Sequence, residues 1–185
     1  MTAAAVATGE HLFWLTSRAA GIVALLASSA SVGLGLLMAG RMLRRRGLDL
    51  RSLHEALSLA AMAAIVVHAG ALVFDGYVNL SVAGVTIPFL GDYRPLWTSL
   101  GIACGWALIA LGLSYYWRAR IGVARWRALH RWTALVWVLS IAHALGEGTD
   151  AGRLWFLASL AIVVVPAAVL LGLRHAPPTP TPTQR

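Results

Sequence analysis

Lysine is absent from this 185-residue chain: all 15 of its basic residues are arginine. Acidic residues are scarce, at 7, and charged residues of all kinds make up only 12%. An ordinary soluble domain carries about 25% charged residues, so that class is excluded. The single cysteine, Cys104, excludes an intramolecular disulfide, a cysteine-cage metal site and an iron–sulfur cluster. No basic start of a secretory signal precedes the first apolar run, which is itself too long for a signal-peptide core. That run reads as an uncleaved transmembrane helix. The net charge of +8 would suit a nucleic-acid binder. The arginines instead lie in short clusters between long apolar runs, which predicts a membrane surface and no nucleic-acid partner.

What is abundant is apolar sequence, at 59%. Five stretches approach the roughly 20 residues that cross a bilayer: Phe13–Ala39, Leu53–Phe74, Leu96–Trp117, Leu129–Leu145 and Leu154–Leu173. The fourth is the shortest, and its helix is expected to begin nearer Trp126. The fold class is therefore all-α, an integral membrane bundle of about five transmembrane helices. The expected organisation is a short outer tail over 1–12, a membrane domain over 13–173 and a disordered Pro/Thr-rich tail over 174–185. The first loop holds Arg41, Arg44, Arg45, Arg46 and Arg51, and the third holds Arg118, Arg120, Arg125 and Arg127. The other two loops hold only Arg94 and Arg153, beside Asp75, Asp92, Glu147 and Asp150. The positive-inside rule then predicts an outside N-terminus and a cytoplasmic C-terminus, in a multi-pass protein of the plasma or inner membrane. Trp14, Trp97, Tyr115, Tyr116, Trp117, Trp126 and Trp155 lie close to expected span ends, as interfacial belts require. The longest outer loop, Asp75–Pro95, has an apolar part at Val78–Leu90 that is expected to lie along the membrane surface.

Histidine is costly in hydrocarbon unless partnered, yet four of the six lie in or at the edges of expected spans. They form two pairs: His54 and His68 on the second span, at i and i+14, and His130 and His143 on the fourth, at i and i+13. Both spans run from inside to outside. His54 and His130 therefore share the inner depth, and His68 and His143 the outer, with about 20 Å between the levels. A haem iron takes one ligand on each face of its macrocycle, and one histidine from each of two facing helices supplies them. A non-haem metal would want its ligands at one depth. On an ideal helix, the i+14 position returns to within about 40° of the same face, whereas i+13 misses it by about 140°. The fourth span is thus expected to be distorted, or else its two rings approach from different sides.

The quartet, His54-x13-His68 and His130-x12-His143, resembles the ferric-reductase-like transmembrane family. That family includes the membrane parts of ferric reductases and NADPH oxidases, and the haem-bearing membrane subunit of the bacterial methionine sulfoxide reductase system. The text LTSRAAGIVALL from Leu15, GDYRPLWTSLGIACGWALIALGLSYYWR from Gly91 and WRALHRWTALVWVLSIAHALGEGTD from Trp126 also resembles bacterial members. The similarity covers roughly residues 12–173. It implies two haem b groups per chain, with His54, His68, His130 and His143 as axial ligands, and electron transfer across the membrane. Family oxidases usually add a sixth span and a flavin- and nicotinamide-binding domain. No G-x-G-x-x-G turn in a strand–helix context is present here. The donor is therefore expected to be a separate flavoprotein reductase or a quinol, with an unnamed acceptor on the outer side. The chain would be the electron-transfer component of an oxidoreductase; the alternative is a haem-binding membrane sensor or carrier without redox output.

Two arginines join the candidate cofactor-binding residues. Arg131, beside His130, and Arg18, a turn inside the first span, could each pair with a haem propionate through a bidentate guanidinium. A lipid-headgroup contact is the competing reading for Arg131, and snorkelling for Arg18. Gly33, Gly35, Gly101, Gly105 and Gly112 are expected to allow close helix packing, with Gly101-xxx-Gly105 as the small-residue pattern. His11 and His175 are expected to be solvated, Cys104 buried and inert, and Glu147 and Asp150 part of a solvated outer loop.

Overall fold

The computed structural model describes residues 3–40 and 49–175, the side chains of 3–10 and 175 excepted. Arg41, Arg44, Arg45 and Arg46 of the first loop, and the tail from Ala176 to Arg185, lie outside the described residues. Every element among the described residues is helical. Helix α1 covers Ala3–Ala39, α2 Leu50–Val73, α3 Val82–Thr86 and α4 Pro95–Leu113. A 3₁₀ turn at Ser114–Trp117 leads into α5, Arg118–Ile121. Then follow α6, Val123–His130, α7, Trp132–Glu147, and α8, Leu154–His175.

Local chemistry accounts for the boundaries. Asp49 caps α2: its Oδ1 accepts from the backbone N–H groups of Arg51 and Ser52, each at 3.1 Å. Arg94 takes a left-handed turn and Pro95 starts α4, where a missing N–H costs nothing. Gly122, at φ 90°, separates α5 from α6, a conformation that suits a residue without Cβ. Ser81 caps α3 through its hydroxyl, so the apolar part of the long loop contains one short helix.

Four helical stretches are long and apolar enough to cross a membrane: His11–Ala39, Leu50–Val73, Pro95–Ile121 and Leu154–Arg174. Three differences from the sequence reading stand out. The stretch expected as an outer tail over 1–12 is helical from Ala3; AAAVATGEHL holds no proline, one glycine and four alanines. The third apolar stretch continues past Trp117 to Ile121. The expected fourth span, Leu129–Leu145, is two helices meeting at Arg131, and α7 alone is too short to span by length.

Helix α1 packs along α2 and α8 and touches α7, while α4 packs along α7. In a bilayer, lipid tails remove any hydrophobic drive between helices, so small residues and hydrogen bonds across helices must hold them. Gly33 meets Ala167 of α8 at ordinary contact distance. Trp137 of α7 is 1% exposed. Its indole N–H donates to the Ser29 hydroxyl of α1 at 2.9 Å. Leu25, Phe156 and Leu160 form a small apolar core, joined by Ile22, Ile141, Ala144 and Val164. Outward-facing Val66, Ile162, Val165 and Leu173 are exposed, as lipid-facing side chains would be.

Candidate functional site: two histidine pairs

The two histidine-bearing units, α2 and α6–α7, share no extended contact among the described residues; α1 and α4 pack against them instead. Their imidazoles nevertheless face each other. The rings of His54 and His130 have centroids 6.2 Å apart and planes at 85°. Two imidazoles on opposite sides of one metal atom, at about 2 Å per metal–nitrogen bond, would have centroids about 6 Å apart. His68 and His143 lie close enough to interact electrostatically. The structure thus brings His54 and His130 together, while no ring contact joins His68 and His143 among the described residues.

Hydrogen bonds set the ring orientations. The His54 Nδ1–H donates to the Ser31 carbonyl at 2.9 Å, His68 Nδ1–H to the Ser17 carbonyl at 2.8 Å, and His143 Nδ1–H to the Trp97 carbonyl at 2.8 Å. A carbonyl oxygen only accepts, so these Nδ1 atoms carry the protons and Nε2 keeps the bare lone pair. Metal-binding histidines show this arrangement, one nitrogen donating to a carbonyl and the other left for the metal. The Nε2 atoms of these three rings make no hydrogen bond among the described residues.

Glycines make room for the rings. A Cβ on Gly21 would stand 3.0 Å from His68 Nδ1, and one on Gly35 would stand 3.3 Å from His54 Cε1. A Cβ on Gly101 would stand 2.7 Å from His143 Nδ1, inside contact distance. Gly35 and Gly101 were expected to serve close packing; what they admit is an imidazole. A Cβ on Gly146 would collide with the Trp97 ring, which ties the start of α4 to the end of α7.

His130 is the exception. Its Nδ1 makes no hydrogen bond of normal geometry, although the Leu111 carbonyl is close enough to the ring to interact with it. Its ring stacks on Trp126 at 5.2 Å and 24°. It ends α6, and the regular α-helix is interrupted at Arg131, whose backbone stays in the right-handed helical region, before α7 begins. The shorter histidine spacing was expected to bring either a distortion or rings approaching from different sides; a local interruption lies at Arg131.

The two arginines are placed as follows. Arg18 forms a bidentate ion pair with Asp150, through Nε and Nη2, and lies over the Trp14 ring at 5.0 Å. Asp150, expected in a solvated loop, is buried by this pairing. Arg131 is exposed at the interruption and has no ion pair among the described residues. Cys104 is buried, as expected. Glu147 faces Arg94 at 4.0 Å. His11 is exposed. Ser17, Gly21 and Ser31 were missed by sequence reasoning. Their signal is legible in retrospect: Ser-x-x-x-Gly occurs at 17–21 and again at 31–35, the same i, i+14 offset that relates His54 to His68.

No group of three or more His, Cys, Asp or Glu side chains suited to a bare metal ion occurs among the described residues. Each pair offers two nitrogen ligands. A haem iron brings four nitrogens of its own and asks for two more, so the residues present fit that group. No protein-family model, curated protein or solved structure matches the chain.

Proposed function

We propose that this chain is a b-type dihaem cytochrome that passes single electrons across a membrane. The observation that carries the reading is the His54–His130 pair, 6.2 Å between centroids, with His54 held in the Nδ1–H tautomer. His54 and His130 would hold an inner haem, and His68 and His143 an outer one. Haem iron supplies one-electron redox chemistry when bound. The chain's own contribution is to hold four imidazoles at two depths, to bare Nε2 on three of them, and to surround them with apolar helices that exclude water. Arg131, exposed beside the inner pair, suits an inner propionate. Arg18 would serve an outer one by sharing its guanidinium with Asp150.

The same reading takes α6–α7 as a fifth crossing, completing an outside N-terminus and a cytoplasmic C-terminus. The histidine spacing again resembles the ferric-reductase-like family, a resemblance that implies electron transfer across the membrane. Here a separate flavoprotein or a quinol would supply the inner haem, and a partner on the outer side would accept from the outer one. The decisive experiment is a reduced-minus-oxidised spectrum of the purified protein with haem quantified per chain. Two low-spin haems are expected, with His68→Ala or His143→Ala removing the outer and His54→Ala or His130→Ala the inner. A single haem, or haem unaffected in all four variants, would refute the assignment.

A further inference from the structure

The one histidine of helix α1, His11, is exposed and meets neither pair, yet α1 makes the contacts that orient both rings of α2. Ser17 and Gly21 meet His68, and Ser31 and Gly35 meet His54. The second set follows the first at i+14 on α1, and His68 follows His54 at i+14 on α2. That offset is close to four helical turns, so two antiparallel helices meet with the same relative facing at both levels. In each set the serine carbonyl accepts the Nδ1–H, and the glycine one turn later leaves space for the ring. The hydroxyls close the contact. Ser17 Oγ donates to the His68 carbonyl at 3.0 Å, and Ser31 Oγ lies 2.8 Å from Ser58 Oγ, which donates to the His54 carbonyl at 2.8 Å.

We infer that Ser17–Gly21 and Ser31–Gly35 are two copies of one histidine seat, and that they set the tautomer and direction of His68 and His54 before any cofactor arrives. Gly21 and Gly35 are positioning residues, each acting on one level only. The inference rests on the dihaem reading for its purpose, but its geometry belongs to the chain alone. Seats of this kind lower the cost of loading, because neither ring has to be turned or re-protonated when Nε2 takes a metal.

The test uses the full chain with ¹⁵N-labelled histidine in lipid nanodiscs, before haem is added and at a pH where imidazole is neutral. His54 and His68 are expected as Nδ1–H tautomers with slowly exchanging protons. Gly21→Ala should hasten exchange at His68 about tenfold, the equivalent of one net hydrogen bond, and leave His54 unchanged. Gly35→Ala should do the reverse. Gly33→Ala lies on the same helix and would place its Cβ 3.6 Å from Ala167 Cβ, so it should move neither ring. In the haem-loaded chain, the electron paramagnetic resonance spectrum should show one low-spin signal altered by Gly21→Ala and the other by Gly35→Ala. Nε2–H tautomers in the unaltered chain would overturn the inference even if a variant failed to fold. Equal effects of Gly35→Ala and Gly33→Ala would overturn it as well. Nδ1–H tautomers with haem binding at other than two per chain would instead refute the dihaem reading and leave the seats standing.

Discussion

The Gly101 position exposes His143 to a single-atom perturbation. In Gly101→Ala the new methyl carbon would lie 2.7 Å from His143 Nδ1, about 0.7 Å inside the nearest ordinary contact of 3.4 Å. The ring cannot retreat freely, because its Nδ1–H is held by the Trp97 carbonyl at 2.8 Å on the same helix as Gly101. Overpacking of this kind costs about 1–3 kcal/mol. Losing the hydrogen bond adds about 0.5–1.5 kcal/mol. The better helix propensity of alanine returns about 1 kcal/mol. The net expectation is a destabilisation of about 0.5–3.5 kcal/mol. Gly70→Ala is the control: its Cβ meets nothing within 4 Å, so it should be neutral or stabilising by up to about 1 kcal/mol. Circular-dichroism melting in one detergent compares the two variants with the parent chain. Equal melting temperatures for Gly101→Ala and Gly70→Ala would show that His143 does not occupy the space beside Gly101.

Three further outcomes are expected. Reporter fusions at Gly47 and Arg120 should report cytoplasm and those at Val85 and Thr149 the outside, whereas reversal at two or more sites would remove the parallel course of α2 and α6–α7. Arg18→Gln should destabilise the fold by about 1 kcal/mol, discounted because the arginine side chain is 32% exposed; in a double-mutant cycle with Asp150→Asn most of that should vanish, and additive losses would show that the pair is not coupled. The Asp49 carboxyl is held below its ordinary 3.8, first by the Ser52 hydroxyl and then by the Ser52 backbone N–H. A depressed carboxylate stabilises the fold above its unfolded value and loses that effect as pH falls through the folded one. Protection of the Arg51 and Ser52 amides, taken as exchange relative to the intrinsic rate at each pH, should therefore fall below about pH 4 and not change there in Asp49→Asn, and an unchanged acid response in that variant would rule the cap out as its cause.

Some of this architecture was legible from residue types alone. Long apolar runs specify membrane-crossing helices because backbone polar groups in hydrocarbon must be satisfied within the segment. Two histidine pairs, one at i, i+14 and the other at i, i+13, specify two levels, because helical rise converts spacing directly into depth. The shorter spacing also indicated either a distortion or rings approaching from different sides, since an ideal helix would turn His143 away from the face of His130. The place of an interruption was not legible: nothing in Leu129–Trp132 marks one, and it falls at Arg131, between α6 and α7. The pairing of Arg18 with Asp150 joins residues 132 positions apart and depends on how α1 meets the loop before α8. Most of all, the acceptors that orient the imidazoles are backbone carbonyls of Ser17, Ser31 and Trp97. Every residue has a carbonyl, so residue type cannot say which one a histidine reaches. That choice is made by the register in which neighbouring helices slide into contact, and register is decided only when the small residues Gly21, Gly35 and Gly101 find the rings that fit against them.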